Sequence, residues 1–220
     1  MNMIAPLSNN ARKAAATDST VVDRGLWRGA IGLTVLSLAG FGFLYSLAGV
    51  GVGQALFPRT ANGSLIERDG KVIGSELVAQ PFASDKYFQP RPSAAGYNPL
   101  ALAGSNQART NPDLRKRLEG TRAAAAQREG VDSSMVPGDL FTQSGGGIDP
   151  HISPQAAAIQ VDRVARARGL GRNVVEGLVA WHTENKQLGL LGQPRVNVLD
   201  LNLALDDLAS PATRAPAANQ

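Results

Sequence analysis

The chain has 220 residues, which is enough for one ordinary domain with extensions. Its 22 basic and 18 acidic residues are interspersed apart from one short basic cluster, so the composition argues against a nucleic-acid-binding surface. Because it contains no cysteine, thiolate nucleophiles, disulfides, iron–sulfur clusters and cysteine-based zinc sites are excluded.

Both ends of the chain are predicted to be disordered tails. Residues 1–28 are rich in Ala, Asn, Ser and Thr and contain too few apolar side chains to build a core. Residues 210–220, SPATRAPAANQ, have a similar composition. Neither segment is expected to fold.

An apolar segment lies between Arg28 and Arg59 and carries no Asp, Glu, Lys, Arg or His. About 20 apolar residues are needed for a helix to cross the hydrocarbon core, so this segment is long enough to span it. We therefore predict a transmembrane helix over residues 29–57. A buried core helix is the alternative, and it would have to be apolar on every face.

A cleaved signal peptide, which would release a secreted binding protein, is a second alternative for this segment. Its apolar region would be about 7–15 residues long, much shorter than the one present, so an uncleaved anchor is preferred. Four basic residues precede the span and three follow it within a similar distance, which favours a cytoplasmic N-terminus by a small margin. Gly49 and Gly53 form a small-xxx-small pair, which predicts a partner helix.

The segment after the span begins with a predicted β-hairpin. Asp69 and Gly70 form a turn dipeptide between two short β-like runs. Residues 75–81 are expected to be helical. Residues 87–112 contain four prolines, which remove backbone donors and predict a long, ordered, irregular excursion of the kind that often binds partners.

Capping residues predict the helices of the second half. Asn111 and Pro112 start a helix that ends at Gly130, and Ser153 starts one that ends at Gly169. Asn173 is predicted to cap a third helix, residues 196–199 to form a buried strand, and Asp200 to cap a final helix. The predicted fold is α+β: one N-terminal transmembrane helix, then a single mixed α/β soluble domain with few strands over residues 58–209.

The stretch SGGGIDPHISPQAAAIQ, residues 144–160, combines residues that occur in active sites. One interpretation is a phosphate-binding loop, because its glycines precede a helix start; no lysine follows them, and a carboxylate opposes phosphate. The nucleotide-proximal candidates are Ser144, Gly145, Gly146 and Ser153. A second interpretation is a hydrolase that uses Ser144, Asp149 and His151. A structural turn is preferred to both, because residues so close in the chain rarely converge on one point.

Several blocks, among them YFQPRPSAAGYNP, DPHISPQAA and RVNVLDLNLALD, resemble the KdpC family, the C subunit of the bacterial high-affinity potassium-transporting ATPase. The similarity covers nearly all of residues 30–208. The chain departs from the usual family pattern in two places. Gly146 stands where SGSGLDP has its second serine, and residues 102–106 read LAGSN in place of SGGSN. Both departures weaken any role for those side chains.

The resemblance implies a non-catalytic, single-pass subunit that stabilises the complex with KdpA, KdpB and KdpF. It also implies an inner-membrane location, a cytoplasmic N-terminus and an extracytoplasmic soluble domain. A catalytic-chaperone role that raises the ATP affinity of KdpB is a further implication. The complex would use ATP, magnesium and potassium, and the chain would hold no cofactor or metal of its own.

Contacts with partner subunits are expected mainly in the proline-rich excursion, with part of the 144–160 stretch as a second region. The bilayer is the other expected partner, and no nucleic acid is expected. The candidate contact residues are Tyr87, Phe88, Arg91, Tyr97, Asn98, Asp149 and His151.

Overall fold

The computed structural model describes residues 25–209. Residues 1–24 and 210–220, which include most of the first predicted tail and all of the second, lie outside the described residues. The chain divides into two compact units, one ending at Ala61 and the other beginning at Asn62.

The first unit contains a long apolar helix, α1 (Leu26–Leu56), of 31 residues with mean hydropathy 1.8. It begins three residues before the predicted start and spans about 46 Å at 1.5 Å per residue, more than the thickness of a hydrocarbon core. None of its most apolar window is buried. Because a core helix would be mostly buried, this exposure favours a membrane span over the core-helix alternative.

The middle of α1 is wound as a π-helix over Leu38–Leu44. The N–H of Tyr45 bonds to the carbonyl of Gly40, five residues earlier, as π-type winding requires. The space beside Gly49 is open, which leaves room for a second backbone. The partner helix at Gly49 and Gly53 stays a prediction. One short helix, α2 (Pro58–Ala61), completes this unit.

Over residues 62–209, the second unit combines helices with five short strands, which confirms the predicted mixed α/β domain with few strands. The strands form a two-stranded antiparallel sheet, β1–β2, and a three-stranded antiparallel sheet in the order β3–β5–β4. Its elements in chain order are β1 (Leu65–Arg68), β2 (Lys71–Ser75), α3 (Pro112–Glu129), β3 (His151–Ile152), α4 (Pro154–Ala158), α5 (Val161–Arg168), α6 (Arg172–Trp181), β4 (Thr183–Glu184), β5 (Arg195–Asn197) and α7 (Val198–Ala209).

The predicted hairpin is confirmed. Asp69 and Gly70 both have positive φ, at 52° and 73°, as a type I′ turn requires. The expected helix over residues 75–81 is wrong. This segment is a turn, and the N–H of Ala79 bonds to the carbonyl of Ile148 at 2.9 Å, so tertiary pairing replaces the helical bond.

The core of the second unit lies around β5 and the helices packed near it. Its largest fully buried apolar side chains come from the excursion, β3, α5, α6, β5 and α7. Those residues are Phe88, Ile152, Val161, Val164, Val175, Val196, Val198, Leu201 and Leu205.

The helix predicted from Ser153 to Gly169 is two helices. α4 and α5 are separated at Ile159 and Gln160, where the N–H of Gln160 bonds to Ala157, only three residues earlier. The side chain of Gln160 is buried and donates to the carbonyl of Ala156 at 3.1 Å. The chain therefore tightens and turns where this glutamine enters the core.

Four of the predicted helix boundaries are confirmed by their geometry. Asn111 and Ser153 each accept a hydrogen bond from the backbone of their helix, at 2.9 Å and 3.0 Å. Gly130 and Gly169 end their helices with φ of 69° and 65°, in the left-handed region.

The two remaining capping predictions are wrong by two and three residues. α6 starts at Arg172 after Gly171, so Asn173 lies inside the first turn. The strand predicted at residues 196–199 ends at Asn197, whose side chain accepts bonds from the N–H groups of Leu199 and Asp200 at 3.1 and 3.3 Å. Asn197 is therefore the cap of α7, and Asp200 is in the first turn.

Candidate functional site

The two stretches that the sequence singles out lie side by side. The hydroxyl of Ser93, in the excursion, donates a hydrogen bond to the carbonyl of Gly147, 54 positions later. The N–H of Ser144 donates to the carbonyl of Pro92 at 3.3 Å. These bonds bring most of the candidate contact residues into one region of the soluble domain.

Gly147 is a residue at which the two stretches approach closely. Its φ is 76°, and a Cβ atom there would lie 2.9 Å from the Cβ of Ala95 and 3.1 Å from the carbonyl oxygen of Ala103. Both the conformation and the space therefore require glycine. Gly145 and Gly146 are exposed and have open space beside them, so they carry no such requirement.

Arg91, Asp149 and His151 form a polar cluster. Arg91 Nη1 lies 3.1 Å from Asp149 Oδ2, and His151 Nδ1 lies 3.5 Å from Asp149 Oδ1. The backbone N–H of His151 also donates to Asp149, at 3.0 Å. Burial raises the pKa of Asp149, but the hydrogen bonds from His151 and the charge of Arg91 outweigh it and hold that pKa below its ordinary value.

A polar cavity of about 400 Å³ opens beside this cluster. Its lining carries two arginines, two aspartates and one histidine, so the positive charges of the arginines and the negative charges of the aspartates cancel. Arg195 is already paired with Glu184 at 2.8 Å, as Arg91 is with Asp149. The lining residues are Arg91, Asp139, Asp149, His151, Ile152, Ser153, Gln193, Pro194 and Arg195.

The geometry gives the phosphate-binding interpretation little support. Ser144 is buried, and its carbonyl accepts from Gly147, which closes the glycine-rich loop on itself. The Ser153 hydroxyl caps α4, and both its N–H and its hydroxyl donate to Asp139, at 2.6 and 3.2 Å. Two carboxylates, Asp139 and Asp149, thus face the space a phosphate would enter.

The hydrolase interpretation needs a serine beside His151. Asp149 and His151 are brought together, but Ser144 does not line the cavity. Across residues 25–208, no hydrogen bond joins the hydroxyl of Ser144 to the His151 ring. His151 therefore does not accept the proton of the Ser144 hydroxyl, as the activation of Ser144 as a nucleophile would require. His182 bonds to the carbonyl of Leu178 in its own helix at 2.9 Å.

Phe88, one of the candidate contact residues, is a core residue. Its side chain is fully buried, which removes it from the surface that this conformation offers to a partner. Its N–H and carbonyl are both bound by the buried amide of Asn202, at 2.8 and 2.9 Å. Gln160 binds the backbone of Gln89 in the same way, at 2.8 and 3.2 Å. The side-chain amides of Asn202 and Gln160 therefore make the hydrogen bonds to this part of the excursion that the backbone of a neighbouring β-strand would otherwise make.

Tyr87 connects the excursion to the end of the domain. Its hydroxyl donates to Asp206 in α7 at 3.1 Å, and the Arg168 guanidinium lies over its ring at 4.9 Å. These contacts give Tyr87 a structural role beside any contact role. Sequence reasoning missed Gln160 and Asn202; a polar residue within an apolar helical stretch is the signal that could have found them.

Tyr97 and Asn98 hold a loop whose tip is exposed. The Tyr97 hydroxyl donates to the carbonyl of Arg91 at 2.9 Å, and burial raises the pKa of Tyr97 although the charge of Arg128 lowers it. The Asn98 side chain accepts from the N–H of Leu100 at 2.9 Å. The Leu100 side chain is 94% exposed, and sequence reasoning did not single it out.

The sequence of this chain matches the family described as KdpC, "K+-transporting ATPase, c chain", over residues 27–207. The chain belongs to the KdpC family. Three relatives named "Potassium-transporting ATPase KdpC subunit" illustrate the similarity. The protein from Xanthomonas oryzae pv. oryzae (strain MAFF 311018) is 56% identical over 184 residues, which cover 84% of this chain and 88% of the relative.

Two KdpC proteins from other bacteria match nearly as well. The relative from Methylococcus capsulatus is 54% identical over 170 residues, and that from Geobacter metallireducens is 52% identical over 172 residues. Each alignment covers 76% of this chain and 90% of the relative. Membership of the KdpC family makes this chain a membrane-associated subunit of a potassium-transporting ATPase.

Proposed function

We propose that this chain is a non-catalytic accessory subunit, held in the bacterial inner membrane by α1 with its N-terminus cytoplasmic. Its extracytoplasmic domain docks on KdpA and KdpB, and KdpF is a further partner within the membrane. Family membership supports the complex, and the length and exposure of α1 support the anchor. The pairing of Arg91 with Asp149 and of Arg195 with Glu184 supports a structural use of the polar site.

The loop around Leu100 is the observation that carries the docking proposal. Its base is fixed by partly buried hydrogen bonds of Ser93 and Tyr97, while Leu100 and Leu102 are 94% and 58% exposed. A rigid loop that holds apolar side chains in water loses little conformational entropy when a partner covers them. Asn98 lies in the same loop and belongs to the proposed contact surface.

Co-purification from cells tests the docking proposal. The affinity-tagged full chain should recover KdpA and KdpB in mild detergent, and Leu100→Ser/Leu102→Ser should lower that recovery several-fold. Leu65→Ser/Val72→Ser replaces two exposed apolar residues of the β1–β2 hairpin and is the matched control. If the tagged wild-type chain recovers neither subunit, the subunit assignment of this chain is wrong.

The chaperone role is proposed as a coupling across the complex. ATP binds on the cytoplasmic side, so an extracytoplasmic domain can raise the ATP affinity of KdpB only by favouring one conformation of the assembly. The complex, and not this chain, would hold ATP, magnesium and potassium. The KM for ATP of complexes with and without this chain tests the role; an equal KM in both would exclude it.

A further inference from the structure

A tight hairpin between β4 and β5 carries three exposed leucines. Gln187 and Leu191 exchange two backbone hydrogen bonds, each of 2.9 Å. The residues between them turn the chain, and the N–H of Leu190 also bonds to Gln187 at 3.1 Å. We refer to residues 187–191 as the leucine hairpin.

The leucine hairpin exposes most of the surface of its three leucines. Leu188 is 90% exposed, Leu190 83% and Leu191 61%, and Trp181 at the end of α6 is 85% exposed. Leu201 and Leu205 in the core, by contrast, are fully buried. The three hairpin leucines and Trp181 therefore contribute little to the core and are available to an apolar environment outside the domain.

The backbone of Leu188 shows that this exposure has a conformational cost. Its φ is 54°, in the left-handed region that leucine rarely adopts and that glycine or asparagine occupies readily. A leucine at this position strains the turn and gains no buried contact in return. Its side chain is therefore better explained by a contact outside the domain than by folding.

The charge beside the leucine hairpin favours an anionic lipid surface. Lys186 precedes the hairpin, and residues 185–194 contain no Asp or Glu. Arg195 is paired with Glu184 at 2.8 Å, so these two charges cancel. Exposed leucines, an exposed tryptophan and a lysine together have the composition of segments that enter the bilayer interface. Lys186 is attracted to anionic headgroups.

The connection to α1 keeps the domain near the bilayer. Residues 57–64 join the end of α1 at Leu56 to the start of β1 at Leu65, and eight residues extend at most about 28 Å. Such a short tether gives a weak lipid contact a high effective concentration. A few apolar side chains can therefore be enough for a stable contact.

We propose that the leucine hairpin and Trp181 insert into the interfacial layer of the bilayer that α1 spans. The proposal rests on the membrane anchoring in the proposed function. It adds a second membrane contact, which would restrict the rotation of the soluble domain about its tether.

Quenching of Trp181 by brominated lipid tests the insertion. The full chain contains two tryptophans, so Trp27→Phe leaves Trp181 as the only one. In vesicles of phosphatidylcholine and phosphatidylglycerol, brominated acyl chains should remove most of the Trp181 emission. Omitting phosphatidylglycerol should weaken the quenching, because Lys186 then loses its anionic partner.

Two variants in the Trp27→Phe background give the test its specificity. Leu188→Ser/Leu190→Ser/Leu191→Ser should largely abolish the quenching, whereas Leu100→Ser/Leu102→Ser, which also removes exposed leucines, should retain it. Circular dichroism of each variant checks the fold. Equal quenching in the triple variant and its parent overturns the proposal.

Other outcomes separate this proposal from the proposed function. If the chain floats with the vesicles but Trp181 is not quenched, the lipid contact is wrong and the anchor stands. If Trp181 is unquenched and its emission shifts to the blue only when partner subunits are added, a partner surface covers the hairpin instead of lipid. If the shift appears only at high protein density, a second copy of the chain covers it. If the chain does not float, the anchor and the lipid contact are both wrong.

Discussion

Arg163 shows how single residues hold this domain together. Its guanidinium binds Glu129 at 2.8 Å, Gln160 at 2.8 Å, and the carbonyls of Asp85 and Tyr87 at 2.6 and 3.0 Å. The Glu129 side chain is fully buried and that of Arg163 is 8% exposed. One side chain thus joins α3, α5 and the excursion.

Replacement of Arg163 should be strongly destabilising. Arg163→Met leaves the charge of Glu129 buried with only Arg128 beside it, and removing one partner of a buried pair typically costs about 3–5 kcal/mol. Urea unfolding of the full chain in detergent, followed by far-UV circular dichroism, measures the loss. Arg166→Met, an exposed arginine of the same helix, should have little effect.

A second substitution separates the lost pair from lost packing. Arg163→Met/Glu129→Leu removes the buried charge together with its partner, so it should be more stable than Arg163→Met alone. If the double variant is less stable than the single one, the cost does not come from the uncompensated carboxylate.

Asp149 should make stability depend on pH in the acid range. Its pKa is lowered in the folded chain, so its carboxylate stabilises the fold above the ordinary pKa of 3.8, and this contribution is lost as the pH falls through the lower folded-state value. Asp149→Asn should therefore be less stable than wild type at neutral pH, and the difference should shrink below pH 3.8.

Acid titration of unfolding checks the Asp149 prediction. Free energies of unfolding of wild type and Asp149→Asn are compared from neutral pH downward, with Glu119→Gln, an exposed carboxylate of α3, as the control. A difference between Asp149→Asn and wild type that stays constant through the acid range would contradict it.

At the scale of elements, helix ends were better predicted where one residue decides the end. Gly130 and Gly169 end their helices because φ must be positive there, a property that the sequence shows directly. The break at Gln160 and the cap at Asn197 depend on neighbours that are distant in the chain. Sequence spacing alone does not reveal such neighbours.

The two glycines of α3 should respond to alanine in opposite ways. Gly130 has φ of 69°, so Gly130→Ala strains the backbone and should cost about 1 kcal/mol or more. Gly120 lies within α3 with open space beside it, so Gly120→Ala should stabilise the chain by about 0.5–1 kcal/mol. Urea unfolding of both variants measures the pair; the same sign for both would contradict the assignment of Gly130 as the left-handed cap.

At the scale of the whole molecule, the absence of cysteine makes the proposed topology directly testable. Lys116→Cys on the exposed side of α3 should react with a membrane-impermeant maleimide in intact spheroplasts if the soluble domain is extracytoplasmic. Asn10→Cys in the N-terminal segment should react only after permeabilisation. Labelling in the reverse pattern would place the soluble domain beside cytoplasmic ATP and make direct nucleotide contact the leading mechanism.

The sequence by itself determined the features that depend on local chemistry. The apolar segment, the Asp69-Gly70 turn, the caps at Asn111 and Ser153 and the family motifs can be read without the fold, because each depends on a few adjacent residues. The tertiary structure alone decided that Phe88 is buried, that Asn202 and Gln160 bind the excursion, and that Arg91 meets Asp149. Those contacts join positions 58 to 114 apart, and their partners are chosen by burial and packing, which no local pattern contains.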